Sequence, residues 1–197
     1  IAKRGPRFFS TDPNQRLLRG LVNYLTPLNR QNTYRLTARY NPAAQDISEL
    51  AFAADVRYKF SKSLSANVNF SDIKTIEGDR LFQELFTELI YKYKRKWQIT
   101  SGIQFVTYNQ EIYEMKSEVP LVKTVVPYVD FLYRFDSKNT LRAEFQYMDT
   151  KQDFGSWLFG LAEYSIAPKW SFEASGMYNT HPKKANSKGE IEKTLYP

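Results

Sequence analysis

The chain has 197 residues, with 28 Lys and Arg against 21 Asp and Glu, for a formal net charge of +7. It has no cysteine and a single histidine, His181, which excludes a disulfide framework, a thiolate zinc site, a cysteine nucleophile and a His-rich metal centre. Aromatic residues make up 16%, too many for a disordered polymer, and no apolar run reaches the ~18–20 residues of a membrane helix.

Residues 1–32 form an N-terminal segment with two open readings. Asp12-Pro13 followed by Leu17, Leu18, Leu21, Val22 and Leu25 has the pattern of a capped amphipathic helix. A first strand with a loop at 26–31 fits as well, with Leu18, Val22 and Tyr24 on one face. From about Thr33 to residue 180 one pattern repeats: Phe-, Tyr- and Val-rich segments of about ten residues whose polarity alternates at period two. Successive side chains of a strand point to opposite faces, so each segment is predicted to be a strand with one polar and one apolar side. Tyr34, Leu36, Ala38 and Tyr40 lie opposite Arg35 and Arg39. Leu50, Phe52, Ala54, Val56, Tyr58 and Phe60 oppose Asp55, Arg57 and Lys59, and the split recurs through Trp170, Phe172, Ala174 and Tyr178 against Ser171, Glu173 and Asn179. Phe86, Ile90, Trp157 and Phe159 are exceptions on the polar side.

The connections alternate too. Tight turns are expected at 61–63, 94–96, 136–139 and 167–169, and longer loops at 41–49, 73–81, 109–121 and 150–156. Pro120 and Pro127 flank Val125, so the sixth strand is expected to begin late or to be distorted there. Residues 181–197 read as a loop followed by the start of a further strand. The sequence begins at Ile1 and a new segment opens as it ends, so a parent chain longer at both ends is expected.

The predicted fold class is all-β, an antiparallel up-and-down transmembrane β-barrel of which nine or ten strands are visible. A soluble barrel would turn the apolar face inward around a ligand. Two features favour the apolar face outward. The strands average about eleven residues, near the ~9–11 of a tilted strand crossing a bilayer. Aromatic residues also collect at the tight-turn ends, as an interfacial girdle would: Tyr58, Phe60, Tyr91, Tyr93, Trp97, Tyr133, Phe135, Tyr164 and Trp170.

Several segments carry a family resemblance. LNRQNTYRLTARYNPAAQ (28–45), ELAFAADVRYKF (49–60), LRAEFQYMDTKQDFGSWLFGLAEY (141–164) and YSIAPKWSFEASGMYNT (164–180) resemble a family of outer-membrane β-barrels of unknown function from Bacteroidota. The run Asp149-Thr150-Lys151-Gln152-Asp153 with Gly155 and Trp157 is its most specific part. The resemblance implies an outer-membrane location in a diderm bacterium and brings no activity and no catalytic residues.

Charge placement is the chief functional signal. The polar faces mix both signs and form the expected lumen set: Arg35, Arg39, Asp55, Arg57, Glu84, Glu88, Asp130, Arg134, Arg142, Glu144, Glu163 and Glu173. Such a set either pairs across strands to fill a narrow barrel or sets a field across a wet constriction. The tight-turn windows carry nine basic residues and one acidic one; beside Arg134 of the lumen set, the other eight form a basic rim of Lys59, Lys62, Lys92, Lys94, Arg95, Lys96, Lys138 and Lys169. Short turns of outer-membrane barrels face the periplasm. A basic rim there is suited to anionic lipid headgroups or to an acidic partner from an envelope complex. Nucleic acid is not an expected partner, because strict alternation and balanced polar-face charge do not build a nucleic-acid surface.

No nucleophile elbow, Walker loop or dinucleotide fingerprint occurs, so the chain is not read as an enzyme, and neither a cofactor nor a metal is expected. His181, before Pro182, is read as a solvated loop residue. Glu84 and Glu88 share a face and are expected to pair with Lys92 or a neighbouring Arg. The leading expectation is porin-like passage of small polar solutes through an outer-membrane barrel. The alternative is a non-conducting structural or accessory subunit of an envelope complex, docked through its basic periplasmic rim.

Overall fold

The structure is a computed structural model that describes residues 2–3, 49–114, 117–152, 155–182, 191 and 195–196. The segment at 1–32 and the strand expected at 33–40, with Arg35 and Arg39, lie outside the described residues apart from Ala2 and Lys3.

Eight long antiparallel strands dominate: β2 (Glu49–Lys59), β3 (Leu64–Thr75), β4 (Arg80–Tyr93), β5 (Trp97–Tyr108), β6 (Val122–Arg134), β7 (Asn139–Met148), β8 (Gly155–Ile166) and β9 (Trp170–Pro182). Two-residue pieces, β1 (Ala2–Lys3) and β10 (Leu195–Tyr196), pair with β2 and β9. Neighbours in sequence are neighbours in space throughout, in the order β1 to β10, so the sheet is an up-and-down meander. A short helix, α1 (Gln110–Glu114), lies between β5 and β6. Among the described residues no pairing joins β1 to β10.

The sheet inverts the usual distribution of polarity. On β3, Asn67, Asn69 and Ser71 are buried while Val68 between them is 39% exposed. On β4, Glu84 is fully buried while Leu85 and Leu89 are exposed. Phe52, Val56, Tyr58, Trp170 and Phe172 are each about 60% exposed. A sheet folding in water would shield its apolar side. Here the polar side is the more shielded one across the middle strands, β3 to β8.

Three expectations are corrected. The long loop at 73–81 is a four-residue connection, because β3 runs to Thr75 and β4 starts at Arg80. Ile73 and Phe82 are buried cross-strand partners, which extends the sheet, and Thr75 closes the turn through Asp79 N–H to Thr75 Oγ1 at 3.0 Å. β6 begins at Val122, directly after the loop expected at 109–121 and not late, and pairs with β5 without a break. The distortion at Pro127 lies on its other side. The β6–β7 ladder stops at Tyr128↔Gln146 and resumes in the same register at Val125↔Asp149. Val125 N–H points toward β7, so position 127 would too, and proline has no N–H to give. Lastly, His181 is on β9, opposite Ser156 across a bulge, not in a loop.

Two tight turns are held by their own side chains. Ser61 Oγ accepts from the N–H groups of Ser63 and Leu64, at 3.1 and 3.0 Å. Asp136 accepts from the N–H groups of Lys138 and Asn139, at 2.7 and 2.8 Å, and from the Asn139 amide at 2.8 Å. These contacts hold the Asp136 carboxyl below the usual aspartate pKa, with the Asn139 side chain the largest cause.

Candidate functional site: an apolar band, a paired interior and a basic rim

Register converts the exposed side into rows. Phe70, Leu85, Phe105 and Val125 lie side by side across β3 to β6. The next three rows include Val68, Thr87, Ile103 and Pro127; then Ala66, Leu89, Ser101, Val129, Phe145 and Gly160; then Leu64, Tyr91, Ile99, Phe131, Ala143 and Ala162. The fifth holds Tyr93, Trp97, Tyr133, Leu141, Tyr164 and Phe172. Two hydroxyls interrupt this band, and each donates to a main-chain carbonyl: Thr87 to Ile103 at 3.4 Å and Ser101 to Tyr128 at 3.3 Å. Beyond the Phe70 row the surface turns polar at once, in the row Asp72, Gln83, Thr107 and Lys123. Asp72 meets Lys74 at 3.2 Å, Arg80 at 3.5 Å and the Gln83 amide at 3.2 Å. From Leu85 to Tyr93 is eight steps along β4, about 27 Å at the usual rise.

The other border is aromatic. Trp97 meets Tyr91, Tyr93 and Phe131 at centroid distances of 5.5, 5.4 and 6.5 Å. The chain continues through Phe131–Tyr133 (6.5 Å), Tyr133–Phe135 (4.8 Å) and Phe135–Tyr164 (6.2 Å). Tyr58 meets Phe60 edge-on at 4.8 Å, and Trp170 stacks on Phe172 at 6.2 Å. All nine girdle candidates therefore sit at the tight-turn end. Phe131 and Phe172 join them, and their parity along the strand was the available signal.

Apart from the polar row at Asp72 and Lys123 with its neighbours Lys74 and Arg80, the shielded side holds the charges described on β2 to β9. Arg142 bridges two carboxylates, with Nε to Asp130 Oδ2 and Nη2 to Glu144 Oε2, both at 2.5 Å. Glu144 also accepts from the Gln146 amide. Glu163, opposite both Arg142 and Glu173, accepts from Ser165 and Ser171 at 2.9 and 2.8 Å. Asp55 pairs with Arg57 at 3.0 Å on the more open β2. Glu84 and Glu88 do not pair with Lys92 or an arginine. Glu84 is buried against the Gln104 amide, and Glu88 accepts from the Tyr128 hydroxyl at 2.8 Å. Lys92 lies four and eight residues further along the same strand, at the rim, whereas Gln104 and Tyr128 come beside the two carboxylates from β5 and β6.

Toward the long-loop end this side becomes apolar. Val126, Met148, Trp157 and Phe159 form a buried cluster with Leu161 and Met177 packed against it. Phe82, Val106, Tyr108 and Val122 are buried nearby. Phe86, Trp157 and Phe159, exceptions in the sequence pattern, belong to this buried apolar and aromatic part of the shielded side.

The rim is built differently. Lys62, Lys92, Lys94, Arg95 and Arg134, with Trp97, Ser63 and Gln98, line a cavity of about 570 Å³ at the tight-turn end. Lys92 N–H to Ser63 O at 2.8 Å ties the β2–β3 turn to β4, and Arg134 N–H to Lys96 O at 2.6 Å ties β6 to the β4–β5 turn. Among the described residues no carboxylate lines this cavity. Arg134, expected among the lumen charges, faces it and donates to the Arg95 carbonyl at 3.4 Å. Lys94 also lies 5.2 Å from the Tyr93 ring centroid. Lys59 lines a separate cavity with Arg57 and Glu88, while Lys138 and Lys169 sit in the turns of the β6–β7 and β8–β9 hairpins. Among the described residues no group of three His, Cys, Asp or Glu side chains is placed to hold a metal ion.

No curated protein and no solved structure matches the chain. A family model does: the chain belongs to the family of unknown function DUF6029, matched over residues 6–196.

Proposed function

From a DUF6029 chain with this inverted sheet, we propose a segment of a transmembrane β-barrel, closed in its complete form and seated in a bacterial outer membrane. The observation that carries the reading is the five-row apolar band on the exposed side, bordered by linked aromatic rings and by a polar row. Along strands tilted by roughly 35–45° its ~27 Å covers about 19–22 Å of membrane depth, most of the ~25 Å apolar belt of such barrels. Every long strand has at least ten residues, enough to cross when tilted. Closure follows from the same physics, since an open sheet edge in lipid leaves backbone groups without partners. A Bacteroidota origin accords with the resemblance of the strand sequences.

Within that frame the paired interior favours the structural or accessory role over porin-like passage. Glu84, Gln104 and Gln146 are almost wholly inaccessible, Arg142 is engaged by two carboxylates, and an apolar cluster lies on the same side toward the long-loop end. A conducting pore needs polar groups that water reaches. The basic rim is the feature left for contact with the envelope. Porin-like passage remains the second reading, supported by the mixed signs at Asp55, Arg57, Glu163 and Glu173, which are less enclosed. Planar-bilayer conductance of the full-length protein separates the two. Silence from verified, folded protein is expected, and stepwise ion-selective openings would make solute passage the function.

A further inference from the structure

Two central residues of the β4–β5 turn carry positive φ, 44° at Lys94 and 56° at Arg95. Lys96 N–H closes the turn onto Tyr93 O at 2.8 Å. Turns of this kind require positive φ at both central positions, which Asn-Gly supplies at least cost and which long side chains disfavour. The chain nonetheless has Lys-Arg there. The strain has a counterpart in space: both residues face the cavity that also takes Lys62, Lys92 and Arg134. Among the described residues none of these five cations has a carboxylate partner, so like charges are gathered there with no acidic group beside them. Trp97 lines the same cavity and is also the most connected ring of the aromatic border.

We infer that this cavity is a binding site for the phosphate of an anionic phospholipid headgroup. The inference rests on the membrane reading above and names what its basic rim meets. A phosphate diester supplies the missing negative charge, and Lys and Arg are its usual donors. The position selects the lipid over an acidic protein. Trp97 places the cavity at the level where the apolar band ends, which is where headgroup phosphates lie beside a spanning strand. The strained turn is then maintained for the ligand and not for the hairpin.

The turn offers a variant that separates binding from folding. Lys94→Asn with Arg95→Gly gives the turn its preferred residues and removes two cations. The full chain is folded into vesicles of phosphatidylcholine, alone or mixed with phosphatidylglycerol, and lipid retained after gentle detergent extraction is counted by native mass spectrometry. The expected result is preferential retention of phosphatidylglycerol, reduced about tenfold in the variant while resistance to urea is equal or greater. The control Lys123→Gln with Lys151→Gln, at the long-loop end and outside the basic rim, is expected to retain phosphatidylglycerol as before. Equal retention of both lipids, or an unaffected variant, overturns the inference. Displacement by millimolar glycerol phosphate assigns the site to a soluble phosphate and overturns the lipid source. An acidic envelope protein captured through these cations without lipid preference does the same. Failure of the chain to insert into either vesicle sinks the membrane reading itself, a distinct outcome.

Discussion

Tyr128 lies across Gly102 on the neighbouring strand, and the space above the glycine is filled by its ring. A β-carbon at Gly102 would sit 2.8 Å from Tyr128 Cε1, 2.9 Å from its hydroxyl oxygen and 2.3 Å from the Thr87 carbonyl. The ring also stacks on Phe86 at 5.9 Å, and its hydroxyl reaches Glu88. One tyrosine therefore ties β6 to β4 across β5, on the shielded side.

Gly102→Ala forces this ring to move against main chain on one side and Phe86 on the other. A loss of roughly 1–3 kcal/mol is expected, as for other overpacked interiors. Tyr128→Phe keeps the ring and loses only the bond to Glu88, for about 1–2 kcal/mol. Urea unfolding in vesicles, followed by tryptophan emission, ranks the two. A neutral Gly102→Ala would show that the ring is not fixed over the glycine.

Arg142 holds two carboxylates that face each other directly, since Asp130 and Glu144 are cross-strand partners. Arg142→Met leaves them opposed, at an expected loss of about 2–4 kcal/mol, tempered by the partial exposure of the site. Arg142→Lys keeps the charge but lacks the planar fork, so an intermediate loss is expected. Adding Glu144→Gln to Arg142→Met should recover part of the loss. Additive effects in that double variant would argue against a shared network.

The three tryptophans report the orientation of the sheet. Trp97 and Trp170 lie on the exposed side at the aromatic border, whereas Trp157 is 8% exposed within the apolar cluster of the shielded side. In single-tryptophan variants, brominated lipid is expected to quench Trp97 and Trp170 strongly and Trp157 weakly. Strong quenching of Trp157 with silent Trp97 would mean that the other face meets lipid.

Asp136 makes the β6–β7 turn acid-sensitive. Its carboxyl is held below its ordinary pKa of 3.8 by hydrogen bonds to the charged form. The folded pKa lies below the unfolded one, so the contribution to stability is complete above about pH 4. It is lost as pH falls through the depressed folded value. Asp136→Ala should lower the urea midpoint at pH 7 and flatten its dependence below pH 4. An unchanged acid limb would show that the turn does not carry this linkage.

Much of this arrangement is legible in period-two alternation alone. Leu50 to Phe60 and Trp170 to Tyr178 read as two-sided strands, and the turns at Ser61, Lys94, Asp136 and Ala167 read as breaks. The connection at 73–81 is misread because Lys74, Glu77, Gly78, Asp79 and Arg80 are turn-like in composition. Pairing of Ile73 with Phe82 extends the strands past that signal. Pro127 suggests a late start for β6 because proline weakens a ladder, but it weakens only one of two, and β5 holds the strand on the other side. Likewise, same-face spacing groups Glu84 with Glu88 and Lys92 but cannot reveal Gln104 and Tyr128, which lie 20 and 40 residues away along the chain.

The sequence by itself determined the strands, their two faces and the basic character of the tight turns, because these depend on neighbours one or two residues apart. Tertiary structure alone decided which face is shielded, which charges meet and where the apolar band stops. Those properties arise from register between strands: the row of Asp72, Gln83, Thr107 and Lys123 exists only once four strands are aligned. The five cations near Trp97 come from three separate segments and become one cavity only when main-chain hydrogen bonds bring their ends together.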